Sequence, residues 1–363
     1  MSKSERAGGF ARRLIAWHRC HGRHDLPWQR DRDPYRVWLS EIMLQQTQVA
    51  TVLPYYARFL QRFPDVTELA RAASDEVMSL WAGLGYYARA RNLHACARLV
   101  VQDHGGRFPA GGAALARLPG IGPSTAAAIA AFCFGEPGAI LDGNVKRVLA
   151  RHWAIEGPAG QARATRALSE RAQQELPPAA DIAAYSQAIM DLGATVCTRA
   201  QPACDRCPVQ STCEAHRQGR TDELPARRVP RQRPVRAAHV LIAVCGRSVL
   251  LARREPRGIW GGLMCLPQFD SQAQLERSAT QLGGPGAQLE RLADRRHDLT
   301  HLSLALKPYR LRAVRGARLT GLGDAQWVPL AATDATGMPA PHRLLLREAT
   351  AEGLRGRSPR RSP

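Results

Sequence analysis

Two carboxylic acids in this sequence are placed where a carboxyl group could do acid–base chemistry. Glu41 lies in a helical stretch whose neighbours on both sides are apolar or aromatic. A half-buried carboxyl keeps its proton more readily than an exposed one, so Glu41 is a candidate general acid. Asp142 lies in a Leu-Asp-Gly-Asn turn that opens a helix with the bases Lys146 and Arg147. It is a second candidate catalytic acid, although a capping aspartate in an ordinary helical hairpin would read the same way.

The stretch that precedes Asp142 predicts a phosphate-binding hairpin. Residues 118–125 read Leu-Pro-Gly-Ile-Gly-Pro-Ser-Thr, and Gly120 and Gly122 lie where one helix should end and another begin. Glycine allows a positive φ and leaves no Cβ between the backbone and a ligand. Ser124 falls at the start of the next helix, where free N–H groups and the helix dipole attract an anion. We therefore expect a helix-hairpin-helix that grips one phosphate.

Four cysteines are spaced as ligands of one metal centre. Cys197, Cys204, Cys207 and Cys213 are separated by six, two and five residues among turn-forming residues. Zinc is the common occupant of all-cysteine tetrahedral sites. Zinc ribbons favour two Cys-x2-Cys pairs, however, and the uneven loops here favour a [4Fe–4S] cluster, one per chain. The other five cysteines are isolated, and we expect them to be inert: Cys20, Cys96, Cys133, Cys245 and Cys265.

The charge balance points to a polyanionic partner. The 363 residues include 51 Lys and Arg against 31 Asp and Glu, which gives a net charge of +20. Such a surface favours nucleic acid first and an anionic membrane second. The sequence has neither a run of 18 apolar residues nor a signal-peptide core, so a cytoplasmic protein without membrane association is expected.

The elements that must position these residues change type along the chain. No strand-like alternation occurs before residue 235, and hydrophobic periodicity predicts only helices there. Period-two patterns then predict an α+β region. The predicted helices cover 10–22, a segment starting at Pro34, 49–63, 65–81, 88–104, 143–153, 160–174 and 181–195. The predicted strands cover 238–244, 249–253, 302–306 and 325–328.

These patterns divide the chain into two domains. We expect an all-α domain over 8–216 and an α+β domain over 237–348. An extended Arg/Pro-rich linker at 217–236 should join them, and a disordered basic tail should follow at 353–363.

The motifs together carry a resemblance to a known family. The hairpin, the Asp142 turn and the cysteine spacing resemble the endonuclease III superfamily of base-excision glycosylases. Residues 37–49 (Val-Trp-Leu-Ser-Glu-Ile-Met-Leu-Gln-Gln-Thr-Gln-Val) are similar to the active-site helix of the adenine DNA glycosylase, or MutY, family. So are 83–93 and 190–194, and the resemblance covers about 10–345. It implies an all-α helix-hairpin-helix glycosylase domain with an iron–sulfur loop, followed by an α+β Nudix-like domain.

The resemblance also implies a reaction and roles for five residues. The family removes adenine mispaired with 8-oxoguanine or guanine. By motif, Glu41 protonates the adenine at N7, Asp142 stabilises the sugar oxocarbenium, and Asn144 supports Asp142 and the attacking water. Trp28 and Gln187 match residues that line the adenine pocket. This is the two-carboxylate logic of glycoside hydrolysis, in which the environments push the two pKa values apart.

Other matching positions imply contacts with DNA. Gln46 and Tyr86 match residues that enter the gap or support the lesion side. The family's Phe-Ser-His loop corresponds here to Leu-Thr-His, ending at Thr300 and His301, so the hydroxyl and imidazole are kept and the aromatic ring is lost. The implied partner is double-stranded DNA with an A:8-oxoguanine or A:G mispair, bound by a monomer.

Two departures from related enzymes limit the chemistry. Bifunctional relatives have a lysine where this chain has Ser124, so strand cleavage should be weak or absent. The stretch at 259–269 matches a Nudix-like signature, yet Asp270 and Glu276 are the only acids between positions 262 and 284. Nudix hydrolysis is therefore not expected.

Two alternatives remain open at this stage. One is an endonuclease III-type lyase on oxidised pyrimidines, which Ser124 and the second domain disfavour. The other is a non-enzymatic DNA-binding or redox module, which Glu41 and Asp142 disfavour.

Overall fold

The computed structural model describes residues 3–226, 232–319 and 322–355, and for 3–8 and 352–355 only the backbone. The chain forms two compact units, each built from two segments. Unit 1 comprises Met1–Ala70 and Asn92–Pro230, and unit 2 comprises Arg71–Arg91 and Arg231–Pro363. In the described ranges no helix is both long and apolar enough to cross a bilayer.

Unit 1 is helical, as the periodicity predicts. Its helices are α1 (Lys3–His21), α2 (Pro34–Leu44), α3 (Val49–Arg62), α4 (Val66–Arg71), α6 (Ala88–His104), α7 (Gly112–Leu115), α8 (Pro123–Ile129), α9 (Gly143–His152), α10 (Ala162–Gln174), α11 (Ile182–Thr195) and α12 (Glu214–Arg217). Helix α5 (Ser74–Trp81) lies in unit 2, and the boundary between the units falls in the first turns of α6.

The core of unit 1 fixes the relative positions of helices α1, α9 and α11. Helix α11 packs against both α1 and α9, and Leu14, Leu149 and Leu192 are fully buried between them. Gly193 lies where α11 meets α9, and a Cβ there would stand 2.7 Å from the Cβ of Asn144. The close packing of these two helices therefore requires glycine at this position.

One predicted helix, 65–81, is two. Helix α4 ends at Arg71 and α5 begins at Ser74, because Ala73 between them has an extended backbone with φ −67° and ψ 141°. Asp75 and Glu76 lie in the first turn of α5, where acidic side chains complement the helix dipole. The apolar residues keep helical spacing across 65–81, so this periodicity alone did not reveal that a second helix begins at Ser74.

Unit 2 contains an eight-stranded mixed sheet. The strands are β1 (Val235–Cys245), β2 (Ser248–Arg253), β3 (Met264–Cys265), β4 (Gln268–Phe269), β5 (Leu289–Arg291), β6 (Arg295–Asp298), β7 (Ser303–Arg312) and β8 (Ala325–Pro329). Strands β1 and β7 pair in parallel from Val235↔Ser303 to Val244↔Arg312. The main path is β3-β2-β1-β7-β5, with β4 on β1, β6 on β7 and β8 on β2.

Two helices that the sequence reading missed complete unit 2. Helix α13 (Gln272–Gly283) begins at Ser271, whose side chain accepts a hydrogen bond from the Gln274 amide. Its buried Leu275 and Leu282 pack in one cluster with the strand residue Leu241. Helix α14 (Ala340–Arg355) closes the described chain.

The segment Arg71–Arg91 belongs to unit 2 through specific polar contacts. The Asp75 carboxylate accepts two hydrogen bonds from the Arg253 guanidinium, each 2.7 Å long. Arg91 donates from Nη1 to the Gly261 carbonyl at 2.6 Å. An early part of the chain is thus built into the late domain.

The predicted linker and tail need correction. The segment 217–236 is not an extended linker throughout, because Arg217 ends α12 and the Leu224 amide turns back to donate to the Arg220 carbonyl. Val235 already belongs to β1 rather than to a linker. Of the predicted disordered tail, 353–355 are helical in α14, and 356–363 lie outside the described residues.

Candidate active site

One cavity of unit 1, of about 1040 Å³, brings together seven of the candidate residues of the helical domain. Its walls are formed by α2 from Val37 onward, the starts of α8 and α9, and residues along the length of α11. Seven of the residues singled out in the sequence line it: Trp28, Glu41, Gln46, Ser124, Asp142, Asn144 and Gln187.

Glu41 is held by a rigid helix. The Asp33 side chain caps α2 by accepting a hydrogen bond from the Arg36 amide, and Pro34 follows as the first helical residue. Leu39 and Met43, two residues on either side of Glu41 and therefore on the opposite side of the helix, are fully buried. Glu41 itself is half-buried in the cavity wall. Burial, and secondarily the charge of Asp142, raises the pKa of Glu41 to about 7. The carboxyl can thus hold its proton near neutral pH.

Asp142 occupies the N-cap of α9. Its Oδ1 accepts a 2.7 Å hydrogen bond from the Val145 amide. Burial raises the pKa of Asp142, and this rise is opposed by backbone donors from Val145 and Asn144 and by the charges of Arg147 and Lys146. Both carboxyl pKa values are therefore raised. What distinguishes the two sites is that Asp142 has donors and cations that favour its ionised form.

Arg147 fixes the neighbourhood of Asn144. Its Nη2 donates to Asn144 Oδ1 at 2.8 Å and to the Gly193 carbonyl at 2.6 Å. Its Nε donates to the Cys197 carbonyl at 2.7 Å. The sequence identified Arg147 only as one of two bases, because the Gly193 and Cys197 carbonyls to which it donates are 46 and 50 positions away.

Ser124 supports the turn that carries Asp142. Its Oγ accepts a 3.0 Å hydrogen bond from the Leu141 amide. In the hairpin, Gly120 has φ +78° and a Cβ there would approach Asn92 Cβ to 2.8 Å. Gly122 has φ −83°, so it needs no positive φ, and space beside it is open. Only Gly120 requires glycine for its backbone conformation.

The buried side chain of Asp191 holds the part of the cavity wall that α11 forms. Gln187 donates from Nε2 to Asp191 Oδ1 at 2.9 Å. Asp191 is fully buried and also accepts bonds from the Arg23 amide and guanidinium. Trp28 is 7% exposed and meets the Tyr56 ring edge-on at 5.3 Å. In the sequence, Asp191 was included only as part of the matching stretch 190–194 and was given no role of its own.

The remaining candidate residues for DNA contact are exposed. Gln46 has φ +58°, a left-handed conformation that is uncommon without glycine and is often found at functional sites. In unit 2, Tyr86 is 47% exposed with φ +48°, and its hydroxyl lies 3.5 Å from Thr300 Oγ1. His301 is exposed next to Thr300.

All four predicted ligand cysteines, Cys197, Cys204, Cys207 and Cys213, line a second, smaller cavity of unit 1 together with Arg151. Within the described ranges, no three His, Cys, Asp or Glu side chains are arranged to hold a single metal ion. The four thiols surround a shared space.

Comparison with known proteins defines the class first. Residues 39–174 match the HhH-GPD superfamily of base excision DNA repair proteins, and 238–348 match the NUDIX domain. A solved thermostable thymine-DNA glycosylase aligns over 60% of this chain and all of its own, with 26% identity and a TM-score of 0.53. An endonuclease III in a non-covalent DNA complex, at 18% identity and a TM-score of 0.51, shares the fold.

Curated relatives then give the particular family. The adenine DNA glycosylase of Buchnera aphidicola subsp. Baizongia pistaciae is 34% identical over 337 residues, covering 92% of this chain and 94% of that protein. The adenine DNA glycosylase of Rattus norvegicus is 46% identical over 228 residues, covering 60% of this chain and 44% of that protein. The chain belongs to the adenine DNA glycosylase family.

It is accordingly a DNA N-glycosylase of base excision repair, with a helical HhH-GPD domain and a C-terminal Nudix-like domain. The predicted fold class and enzyme class are confirmed. The non-enzymatic alternative and the pyrimidine-lyase alternative are set aside.

Proposed function

We propose that this glycosylase hydrolyses the N-glycosidic bond of adenine mispaired with 8-oxoguanine or guanine, with little or no strand cleavage. The observation that carries the proposal is the pairing of Glu41 and Asp142 in one cavity, where the pKa of Glu41 is raised to about 7. Since one chain supplies both carboxyls, a monomer suffices.

In the proposed reaction the two acids have separate roles, one as a proton donor and the other as a negative charge. The adenine must first leave the base stack and enter the cavity between Trp28 and Gln187. An adenine anion is a poor leaving group, so Glu41 donates its proton to N7. Asp142 remains ionised and stabilises the positive sugar. Asn144, held by its bond to Arg147, orients Asp142 and the attacking water.

Binding of the DNA backbone falls to the hairpin. Gly120 and Gly122 let the main chain approach a phosphate, and the amides beside Ser124 at the start of α8 donate to it. Gln46, exposed at the cavity and with a left-handed backbone, is our candidate for the residue that enters the gap left by the flipped base. These contacts are independent of sequence, so discrimination of the mispair must come from elsewhere.

A nicking assay tests the function. Duplexes with A:8-oxoguanine and with A:G are incubated with the full chain, and half of each sample is heated in alkali. Strand breaks that appear only after alkali support the proposal. Breaks without alkali would indicate a lyase, and intact strands in both halves would overturn adenine excision.

Replacing Ser124 with lysine should give the enzyme a covalent intermediate. An amine at this position can form a Schiff base with the sugar, so borohydride should trap a Ser124→Lys adduct on an adenine mispair. The Leu141 amide loses its acceptor in the variant, and base release should slow. Ser124→Met, of similar length without an amine, is the matched control and should trap nothing. Excision without any trapped lysine adduct would contradict the assumed hairpin geometry.

We further propose that Cys197, Cys204, Cys207 and Cys213 hold a [4Fe–4S] cluster. Four thiols around one shared cavity fit a cluster with a ligand at each corner. The bound cluster would act structurally by fixing the loop at 199–206 as a basic surface against phosphate. The thiolates of these four residues would hold the irons.

Anaerobically purified protein should contain about four irons per chain and absorb near 400 nm, as a four-thiolate cluster implies. Cys207→Ser should lose iron, because it removes one ligand. Cys20→Ser, which changes an exposed cysteine, is the control and should keep it. Stoichiometric zinc without iron would refute the cluster.

We propose that unit 2 reads the base opposite adenine. Adenine itself is an ordinary base, so the error is marked on the other strand. The hydroxyl pair Tyr86 and Thr300, 3.5 Å apart, and the neighbouring His301 offer donors and acceptors suited to a modified guanine edge.

Replacing Thr300 and His301 with alanine should lower the preference for A:8-oxoguanine over A:G about tenfold or more, since each good base contact gives about 1–3 kcal/mol of discrimination. The ratio of single-turnover rates at matched salt measures it. Thr280→Ala, an exposed threonine of α13, is the control. Truncation is less informative, because it would also remove Arg253 from Asp75. An unchanged ratio would place the reading of the lesion elsewhere.

A further inference from the structure

Arg151 is a buried cation beside the four cysteines. It lies on α9 and is 2% exposed. Its guanidinium donates to the carbonyls of Leu224, Thr198 and Arg199 at 2.8, 2.7 and 3.2 Å. The fourth acceptor is the sulfur of Cys197, 3.4 Å from Nη1. Each acceptor in the described chain is thus a carbonyl or a thiol sulfur, and none is a carboxylate.

These partners satisfy the hydrogen-bonding capacity of Arg151 but leave its charge without a compensating anion. A buried charge is costly unless it is paired with an opposite one. Carbonyl oxygens carry only partial charge, and Cys197 is neutral as a free thiol. Binding of a metal centre changes this, because each ligating cysteine is then a thiolate.

We propose that Arg151 is the buried counter-cation of the iron–sulfur cluster. It donates a hydrogen bond to the Cys197 thiolate and offsets the net negative charge of the four-thiolate centre. This inference rests on the proposed cluster. The role is that of a positioning and tuning residue, since Arg151 is not itself a ligand.

The electrostatic role has a definite sign. Net charge, hydrogen bonds to sulfur and exposure set the potential of an iron–sulfur centre. A nearby cation favours the more negative, reduced state. Its removal should therefore shift the midpoint potential to more negative values and make the cluster easier to oxidise. A role confined to tying down the three carbonyls would leave the potential of an intact cluster unchanged.

Full-length wild type, Arg151→Met and Arg151→Lys are compared under anaerobic conditions. Methionine keeps an unbranched stem without charge, and lysine keeps the charge with fewer donors. Arg163→Met is the control, because it removes one positive charge at an exposed site of α10. The readouts are iron per chain, the midpoint potential of the DNA-bound protein by voltammetry, and the rate at which ferricyanide bleaches the absorbance near 400 nm.

We expect Arg151→Met to hold less iron, and its remaining clusters to have a more negative midpoint potential and to bleach several-fold faster. Arg151→Lys and Arg163→Met should have potentials close to that of wild type. Arg151→Met with full iron and an unchanged potential would overturn the proposal. Where Arg151→Met does not fold, Arg151→Lys decides, because a clearly more negative potential despite the retained charge also overturns it. Iron missing from wild type itself would instead reject the underlying cluster.

Discussion

Asp142→Asn should bind a mispaired duplex normally and release adenine about 10²–10³-fold more slowly than wild type. The amide lacks the negative charge that stabilises the oxocarbenium, and loss of a preorganised electrostatic contact costs about that much in rate. Asparagine is as good an N-cap as aspartate, so its Oδ1 can still accept from the Val145 amide and α9 should remain intact. Single-turnover base release and an equilibrium binding titration measure the two properties separately.

The chain offers a matched control in Asp33→Asn. Asp33 also caps a helix, accepting from the Arg36 amide at 2.9 Å, and it does not line the cavity. The same chemical change there should leave base release close to wild type. Near-normal release by Asp142→Asn would remove Asp142 from the reaction.

Glu41→Gln should also lose base release, by about 10²–10⁴-fold, because the amide cannot donate the N7 proton. In wild type the rate should fall as pH rises through about 7, where Glu41 loses its proton. It should fall again on the acid side, where Asp142 becomes protonated, at a pH above the ordinary aspartate range because burial raises that pKa. A single-turnover pH profile records both limbs, whose apparent pKa values belong to the coupled pair.

Glu41 also gives a stability readout that does not depend on catalysis. Its pKa is raised from 4.5 to about 7 in the folded protein, so the folded state binds the proton more tightly than the unfolded state. Stability is then lost as pH rises from about 4.5 through about 7. Glu41→Gln should unfold at a higher temperature than wild type at pH 8, and the difference should shrink at pH 5. Glu170→Gln, on the exposed side of α10, is the control. In the pH profile of base release, a fall in rate above pH 7 that persists in the residual activity of Glu41→Gln would mean that a group other than Glu41 causes it.

The parts of the site with local causes could be predicted from the sequence. Asp33 followed by Pro34 marks the start of α2, and the apolar neighbours of Glu41 anticipate its half-burial. The spacing of the four cysteines anticipates their shared cavity. In each case the signal lies within about twenty residues of the chain.

The parts that could not be predicted depend on distant partners or very short elements. The Asp191–Arg23 interaction joins residues 168 positions apart, and the bond from Arg147 to the Cys197 carbonyl joins residues 50 positions apart. Strands β3 and β4 have two residues each, too few to show any periodicity. Helix α13 did have a signal, because Ser271 suits an N-cap and its buried residues recur at helical spacing.

The segment Arg71–Arg91 belongs to unit 2, whereas the residues on both sides of it belong to unit 1. This arrangement affects the order in which the newly synthesised chain can fold. The chain passes from unit 1 to unit 2, returns, and leaves again. Asp75 and Arg253 are separated by 178 positions, and Arg91 and Gly261 by 170. At about 5–20 residues per second on the ribosome, the early segment waits roughly 10–40 s for its partners. Helix α5 therefore leaves the ribosome before its partners in unit 2 have been synthesised, and unit 2 cannot complete its native contacts before the late domain has left the exit tunnel.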